Sequence, residues 1–180
     1  MKAFLRETLP TLILAVIIFF GIKTVIGNYV IDGPSMEPSF QHGQLLFVSK
    51  LTYKLHEPER GDVIVFHPFD DDMHDDFIKR VIGLPGETVE IEEGTVYIHE
   101  ENGKVFPLDE PYIKDRVMFS YEGDTIPANK YFVLGDNRNN SLDSRVGWLV
   151  PRRAIVGKAW LSTWPPGKWG LAANYSFDGE

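Results

Sequence analysis

The sequence predicts a mostly antiparallel, partly closed β fold that follows one N-terminal transmembrane helix. Residues 8–22 carry no charge and are rich in leucine, isoleucine, valine and phenylalanine. Many short runs of β-branched and aromatic residues follow, and glycine or proline separates them. No helical period longer than about three turns interrupts these runs. Short strands without alternating helices favour an antiparallel sheet that closes in part on itself.

Residues 8–30 are predicted to span a membrane once. A span needs about 20 apolar residues, and this segment supplies them if the side chain of Lys23 extends to the interface. Two positive charges within residues 1–7 favour a cytoplasmic N-terminus. A cleaved signal peptide is the weaker alternative, because no small-residue cleavage pattern follows the apolar stretch. Residues 31–180 are therefore expected to form one extracytoplasmic domain.

The domain beyond the apolar stretch is predicted to consist of strands joined by turns. Segments 88–92 and 95–99 alternate polar and apolar residues on either side of Glu93-Gly94, which predicts a hairpin. The residues after Pro165 are predicted to be irregular. The remaining strand candidates are 44–50, 62–67, 76–82, 116–121, 131–134 and 154–164.

Composition excludes several classes of function. The net charge of -8 argues against nucleic acid as a partner, since phosphate binding needs a basic surface. The absence of cysteine removes disulfides, thiolate zinc sites and cysteine nucleophiles together. The acidic run 67–76 contains two histidines, but its spacing matches no metal motif, and such runs are mostly solvated loops. No metal site and no cofactor are predicted.

Ser35 is the candidate nucleophile. A serine in a proline-rich turn is commonly only a turn residue. Here Pro34 and Pro38 fix the backbone on both sides of the hydroxyl, and Met36 and Phe40 place apolar surface next to it. None of the five histidines lies in a triad motif, so a serine nucleophile would need a base of another kind.

Lys79 is the candidate base. A lysine in a strand usually points to water, and alternation places Lys79 on one face with Phe77 and Val81 and Arg80 on the other. Periodicity does not determine which face is buried. If Lys79 faces inward, desolvation lowers its pKa and makes the neutral amine a base that could activate a serine.

The polar segment 135–145 is the third candidate. Its density of asparagine, aspartate and serine is typical of a solvated loop. Alternatively it supports the two groups above. Ser141 would then orient the lysine amine, and an ion pair between Asp143 and Arg145 would fix the loop.

The sequence resembles the type I signal peptidases, in the short form found in Gram-positive bacteria. Four segments carry the resemblance, and their order and spacing agree with the family from the apolar stretch to about Arg145. Each segment alone is weak, whereas the four in order are highly specific. They are Gly33–Pro38, Arg60–Val65, Lys79–Gly86 and Gly135–Arg145.

The resemblance implies roles for the candidate residues. Ser35 would be the nucleophile and Lys79 the general base, with Ser141 hydrogen-bonded to the lysine. Asp143 and Arg145 would give structural support. Shallow pockets for small substrate side chains would be lined by Ile31, Met36, Phe40, Phe77 and Ile78.

The resemblance also implies fold, substrate and location. Residues 31–180 would form a barrel-like domain that docks on the cell membrane. About residues 84–130 would form a small accessory β-ribbon, because this region is short compared with that of larger members. Substrates would be exported preproteins cut after small residues in an A-x-A pattern. The implied partners are these preproteins, the lipid bilayer and the secretion translocon.

One position departs from the pattern of some family members. They carry a serine two residues before the nucleophile, where this chain has Gly33. The oxyanion would then be stabilised mainly by the backbone N–H of Ser35. On this basis Gly33→Ser is expected to be tolerated and to raise kcat.

Two other functions are considered. A self-cleaving serine–lysine protease of the SOS-repressor kind would use the same pair of residues. The apolar stretch and the lack of a DNA-binding helix pair argue against it. The second alternative is a binding protein and not an enzyme: a membrane-tethered β domain that binds a partner through its acidic loops without catalysing a reaction. Cleavage of a preprotein with an A-x-A site would separate all three.

Overall fold

The N-terminus forms one long helix, α1, over Lys2–Val25. The computed structural model describes residues 2–68, 75–115 and 119–177, with side chains from residue 8 onward. Within α1, the segment Thr8–Val25 has a mean hydropathy of 2.1, and none of it is buried in the protein. The helix therefore has the length and composition of a membrane span.

The strand that follows α1 corrects the predicted end of this segment. Ile26–Val30, predicted as the last part of a span over residues 8–30, forms strand β1. It pairs antiparallel with β2, Leu45–Ser49, along its whole length. Apolar composition does not distinguish a helix end from a strand. Pairing with β2 satisfies the backbone N–H and C=O groups of residues 26–30, which no longer belong to the helix. The β domain thus begins at residue 26.

Ten further strands and a short helix, α2 at Thr52–Leu55, complete the described fold. The strands are β3 Val63–Phe66, β4 Phe77–Gly83, β5 Thr88–Glu92, β6 Thr95–His99, β7 Val105–Pro107, β8 Tyr121–Glu122, β9 Lys130–Leu134, β10 Val150–Pro151, β11 Ile155–Trp164 and β12 Gly170–Leu171. Short 3-10 turns occupy Ser144–Val146, Arg152–Ala154 and Pro166–Lys168.

The larger sheet has the order β1-β2-β11-β3-β4-β9-β10, and β12 pairs with β11. All of its pairings are antiparallel. Register shifts along β11 mark bulges, which bend a long strand and increase its twist. The sheet curls but keeps two ends, β1 and β10. The predicted fold class, mostly antiparallel and partly closed, is confirmed.

A second sheet, in the order β7-β6-β5-β8, lies within the segment expected to form the accessory ribbon. Its β5–β6 hairpin turns at Glu93 and Gly94, whose φ angles are 48° and 85°. Two positive φ angles are what a type I′ hairpin turn requires. The buried side chains of β5 and β6 pack against Ile82 and Phe132 of the larger sheet, so the two sheets share one core.

The strand predicted at 116–121 and the irregular tail predicted after Pro165 are each observed only in part. The strand predicted at 116–121 falls partly on residues 116–118, which lie outside the described residues, and β8 begins only at Tyr121. After Pro165 the chain forms the 3-10 turn Pro166–Lys168 and strand β12, and residues 172–177 are irregular as predicted but pack on the sheet. The Asn174 side chain bonds the N–H of Val63 and the carbonyl of Ala159. These long-range contacts leave no local pattern in the sequence.

The central strand β4 is buried on both faces. It pairs with β3 on one side and β9 on the other. Lys79 is 5% exposed and its neighbour Arg80 is fully buried, although their side chains point to opposite faces. Strand alternation could not have revealed this, because each face of β4 carries one cation among apolar residues.

Candidate active site

The fold brings Ser35 and Lys79 together. Lys79 Nζ donates a hydrogen bond to Ser35 Oγ over 2.9 Å, across a sequence separation of 44 residues. The same amine donates to the carbonyl oxygen of Ile78 over 2.9 Å. These two bonds hold the lysine amine against the serine hydroxyl.

Ser35 lies in a hydrogen-bonded turn between β1 and β2. The N–H of Glu37 donates to the carbonyl of Pro34, and the N–H of Phe40 donates to that of Met36. Met36 and Phe40 are 0% and 1% exposed and belong to the core beneath the turn. Because these two apolar side chains anchor the turn in the core, they fix the position of the Ser35 hydroxyl.

The pKa of Lys79 is lowered to about 8, from 10.5 for a free side chain. Desolvation by burial is the main cause, since it penalises the charged amine. The negative charges of Asp143 and Asp136 oppose it in part and raise the pKa. A pKa near 8 leaves a useful fraction of neutral amine at neutral pH.

The loop after β9 packs directly on the main chain of Ser35. The N–H of Asn137 donates to the carbonyl of Ser35 over 3.0 Å, and the Asn137 side chain donates to the carbonyl of Pro34 over 3.2 Å. A Cβ added to Gly135 would lie 2.5 Å from the Ser35 carbonyl oxygen and 2.2 Å from Ser141 Oγ. No side chain fits at residue 135, so the loop and the nucleophile turn are in van der Waals contact.

Asp143 and Arg145 form the ion pair that the sequence suggested. Arg145 Nε and Nη2 donate to the two carboxylate oxygens of Asp143 over 2.7 and 2.8 Å. Asp143 also accepts from the N–H of Gly135 over 3.1 Å. Asp143 is fully buried. Its bonds to Arg145 and to Gly135, the residue after β9, tie the loop to the end of that strand.

Ser141 does not make its expected hydrogen bond to Lys79. Its buried Oγ has no hydrogen-bond partner among the described residues. The lysine amine is directed instead to Ser35 Oγ and the carbonyl of Ile78. Ser141 still lies at the site, because its Oγ contacts Gly135 next to the Ser35 carbonyl.

Sequence reasoning missed a second buried ion pair next to the lysine. Arg80 Nε and Nη2 donate to the carboxylate of Asp136 over 2.8 and 2.7 Å, and both side chains are 0% exposed. The Arg80 guanidinium also lies 4.1 Å from the ring centroid of Tyr112. The sequence signal was Arg80 itself, because an arginine within an apolar strand indicates a buried acidic partner. The sequence does not show which acidic residue that partner is.

An open cleft of about 760 Å³ borders the serine and the lysine. Of the five predicted pocket residues, Ile31, Phe77 and Ile78 line it. Met36 and Phe40 do not, because they are buried in the core under the turn. The rest of the lining includes the apolar Leu46, Val65 and Leu142 and the acidic Asp32, Asp75 and Asp76.

The described residues contain no cluster of histidine and carboxylate side chains that could hold a metal ion. Residues 69–74 of the acidic run 67–76 lie outside the described residues. His67, at the start of that run, instead bonds the carboxylate of Asp76 at the edge of the cleft.

The conformation of Gly33 reverses the expectation for Gly33→Ser. Its φ is +85°, and an added Cβ would meet no atom within 4 Å. The cost is therefore backbone strain of about 1–2 kcal/mol, or a shift of the turn that carries Ser35. We expect Gly33→Ser and Gly33→Ala to lower the melting temperature alike and neither to raise kcat. A kcat above wild type for the serine variant alone would show that an added donor outweighs the strain.

The chain is similar in sequence to known proteins of one family. Residues 5–164 match the family described as "Signal peptidase, peptidase S26". A probable signal peptidase I-2 of Synechocystis is 43% identical over 169 residues, which are 91% of this chain and 75% of that protein. Signal peptidase IB of Staphylococcus aureus is 36% identical over 184 residues, 92% of each chain. A crystal structure of a signal peptidase I from Enterococcus faecalis is 32% identical and has a TM-score of 0.48. It covers 57% of this chain and 97% of that one.

Proposed function

The chain belongs to the signal peptidase family, peptidase S26, and we propose that it cleaves signal peptides from exported preproteins with a Ser35–Lys79 dyad. That it is a serine peptidase of this family follows from its relatives. The contact that supports the dyad is the 2.9 Å hydrogen bond between Lys79 Nζ and Ser35 Oγ. It joins a hydroxyl to a buried amine at the edge of an open cleft.

In the proposed mechanism, neutral Lys79 accepts the proton of the Ser35 hydroxyl as Oγ attacks the carbonyl carbon of the scissile peptide bond. The Ser35 N–H, which has no acceptor among the described residues, donates to the developing oxyanion. The Lys79 ammonium then protonates the leaving amine, and the signal peptide remains as an ester on Oγ. Lys79 next deprotonates a water molecule, whose oxygen attacks the ester carbon. The Lys79 ammonium returns the proton to Ser35 Oγ as the ester bond breaks, and the signal peptide leaves with a free carboxyl terminus.

Cleavage after small residues in an A-x-A pattern is the second part of the proposal. The cleft next to Ser35 is lined by Ile31, Phe77 and Ile78, and we infer that these bulky side chains leave only shallow depressions there. Small substrate side chains would fill such depressions, whereas larger ones would be held away from Oγ.

Cleavage of a defined substrate tests this specificity. Full-length protein in detergent is incubated with a preprotein that carries an A-x-A site and with a matched preprotein in which the residue before the cleaved bond is leucine. We expect cleavage after the second alanine of the first substrate and at least a hundredfold lower rate for the second. Equal cleavage of both, or cleavage of the peptidase alone, would contradict the proposal.

We also propose that α1 anchors the domain in the cell membrane, with residues 1–7 cytoplasmic. The apolar segment Thr8–Val25 supports this, and β1 follows it without a linker. The proposed active site, whose Ser35 comes only five residues after β1, would then lie near the outer surface of the bilayer. Preproteins leaving the secretion translocon would meet it there.

Three exposed tryptophans support contact of the domain with lipid. Trp160, Trp164 and Trp169 are 47%, 54% and 70% exposed, and tryptophan is enriched at membrane interfaces. Trp148 instead packs against Phe66.

We expect brominated lipids to quench the tryptophan fluorescence of the full chain in vesicles. Replacing the three exposed tryptophans with phenylalanine should remove that quenching. Equal quenching of the triple variant would contradict this placement.

A further inference from the structure

We propose that Glu110 is a positioning residue for the reaction and acts through Arg138 on the main chain of Ser35. Glu110 is the first residue of the turn 110–113, which lies between β7 and β8 within the accessory region. The proposal rests on the function proposed above, because it takes Ser35 as the nucleophile. It assigns to the accessory region an indirect effect on the rate of the chemical step.

The first link is a buried ion pair between Glu110 and Arg138. Arg138 Nη1 donates to Glu110 Oε2 over 2.8 Å, and Nη2 donates to Oε1. The two side chains are only 9% and 2% exposed. A bidentate pair of this kind fixes orientation as well as distance, so Glu110 determines where the Arg138 guanidinium lies.

The second link joins Arg138 to Gly135. Arg138 Nε donates to the carbonyl of Gly135 over 3.2 Å, while the N–H of Gly135 donates to Asp143 over 3.1 Å. The peptide groups on both sides of Gly135 are thus held by side chains. Loss of either hydrogen bond would allow Gly135 to move.

The third link joins the loop to Ser35. Gly135 approaches the Ser35 carbonyl so closely that a Cβ would lie 2.5 Å from the oxygen. Two residues later, the N–H of Asn137 donates to the same oxygen over 3.0 Å. A shift of residues 135–137 therefore moves or frees the main chain of Ser35.

The same turn also reaches the neighbour of Lys79. Tyr112 donates its hydroxyl proton to Glu110 Oε1 over 2.6 Å, and its ring lies against the Arg80 guanidinium. Glu110 is thus held from two sides, by Arg138 and by Tyr112. The turn therefore contacts Arg80, the sequence neighbour of Lys79, and is joined to Ser35 through Arg138 and Gly135.

The expected effect is on kcat rather than on KM. Neither Glu110 nor Arg138 lines the cleft, so substrate binding should be little changed. A small misplacement of a reacting group can lower the rate by about 100-fold. For Glu110→Gln, which keeps the size of the side chain and removes its charge, we expect kcat to fall about tenfold and KM to stay within about twofold.

A matched control separates positioning from loss of stability. Arg60 and Glu87 form another bidentate pair in which the side chains are 6% and 11% exposed. Arg60 also donates to the carbonyl of Ile82 near the end of β4, and neither side chain lines the cleft. Full-length Glu110→Gln and Glu87→Gln proteins in detergent are compared by preprotein cleavage and by thermal melting. We expect both melting temperatures to fall, but kcat to fall only for Glu110→Gln.

Two results would overturn the proposal: folded Glu110→Gln with kcat within twofold of wild type, or an equal fall of kcat in Glu87→Gln. If Glu110→Gln does not fold, Arg138→Lys replaces it, because a lysine cannot bond Glu110 and the Gly135 carbonyl as a fork. A wild-type kcat for that variant would overturn the proposal in the same way. Ser35→Ala is assayed in parallel. Residual cleavage by Ser35→Ala would count against the proposed dyad, whereas a normal Glu110→Gln beside an inactive Ser35→Ala counts only against positioning.

Discussion

Ser35→Ala and Lys79→Ala are each expected to lower kcat/KM for preprotein cleavage by about 10⁴-fold or more. Alanine at 35 removes the atom that would attack the peptide bond. Alanine at 79 removes the group 2.9 Å from it that would accept its proton. Because the two residues act as a unit, the double variant should be no less active than either single variant.

Preprotein cleavage and thermal melting should be measured on the same full-length samples. Ser120→Ala and Lys130→Ala change the same residue types at exposed positions and should retain normal rates. Near-normal activity in Ser35→Ala or Lys79→Ala would contradict the dyad. An inactive Lys79→Ala variant that has also lost cooperative melting would be replaced by Lys79→Met, which leaves a smaller cavity.

Asp136→Asn is expected to be the most destabilising single change near the site. It leaves the fully buried Arg80 guanidinium without its counter-charge, which costs about 3–5 kcal/mol. For a chain of this size the melting temperature should fall by about 10 °C. Asp136 also raises the pKa of Lys79, so its loss should shift the pH midpoint of the rate downward.

An exposed ion pair provides the comparison for Asp136→Asn. Glu57, whose side chain is 74% exposed, pairs with Arg152, and exposed pairs contribute at most about 1 kcal/mol. Glu57→Gln should therefore melt close to wild type. Replacing Arg80 and Asp136 together by methionine and leucine should recover part of the lost stability. A melting temperature for Asp136→Asn within 2 °C of wild type would show that the buried pair contributes little to the fold.

The sequence predicts those parts of the fold that local patterns encode. The apolar run in α1, the alternation around Glu93-Gly94 and the strand periods of β2, β3, β4, β9 and β11 all correspond to observed elements. Ser35 and Lys79 were identified as candidates because each is a reactive residue in an unusual local setting. The structure adds their contact, which depends on the pairing of distant strands.

Other features could not be predicted, because they depend on long-range partners. Nothing local shows that Arg80 pairs with Asp136 or that Arg138 pairs with Glu110. The apolar residues 26–30 continue the character of the helix, yet they pair with β2. Met36 and Phe40 were placed in the substrate pocket, but the backbone of the turn directs them into the core.

The pKa of Lys79 has consequences for stability as well as for rate. In the unfolded chain a lysine has a pKa of about 10.4, whereas burial lowers it to about 8 in the fold. Below pH 8 the fold must hold a charge that its surroundings disfavour, at a cost of about 3 kcal/mol. This cost decreases as the pH rises from 8 toward the unfolded value. Lys79→Met should therefore be inactive yet at least as stable as wild type at pH 6.

The dependence of kcat/KM on pH tests the role of Lys79 as a neutral base most directly. Wild-type protein should be assayed between pH 6 and pH 9.5 with melting temperatures measured in parallel. If the amine must be neutral, the rate should rise about tenfold per pH unit at low pH and level off with a midpoint near 8, the lowered pKa of Lys79. A rate that is flat or falls between pH 6 and pH 8.5, in protein that remains folded, would contradict a lysine base.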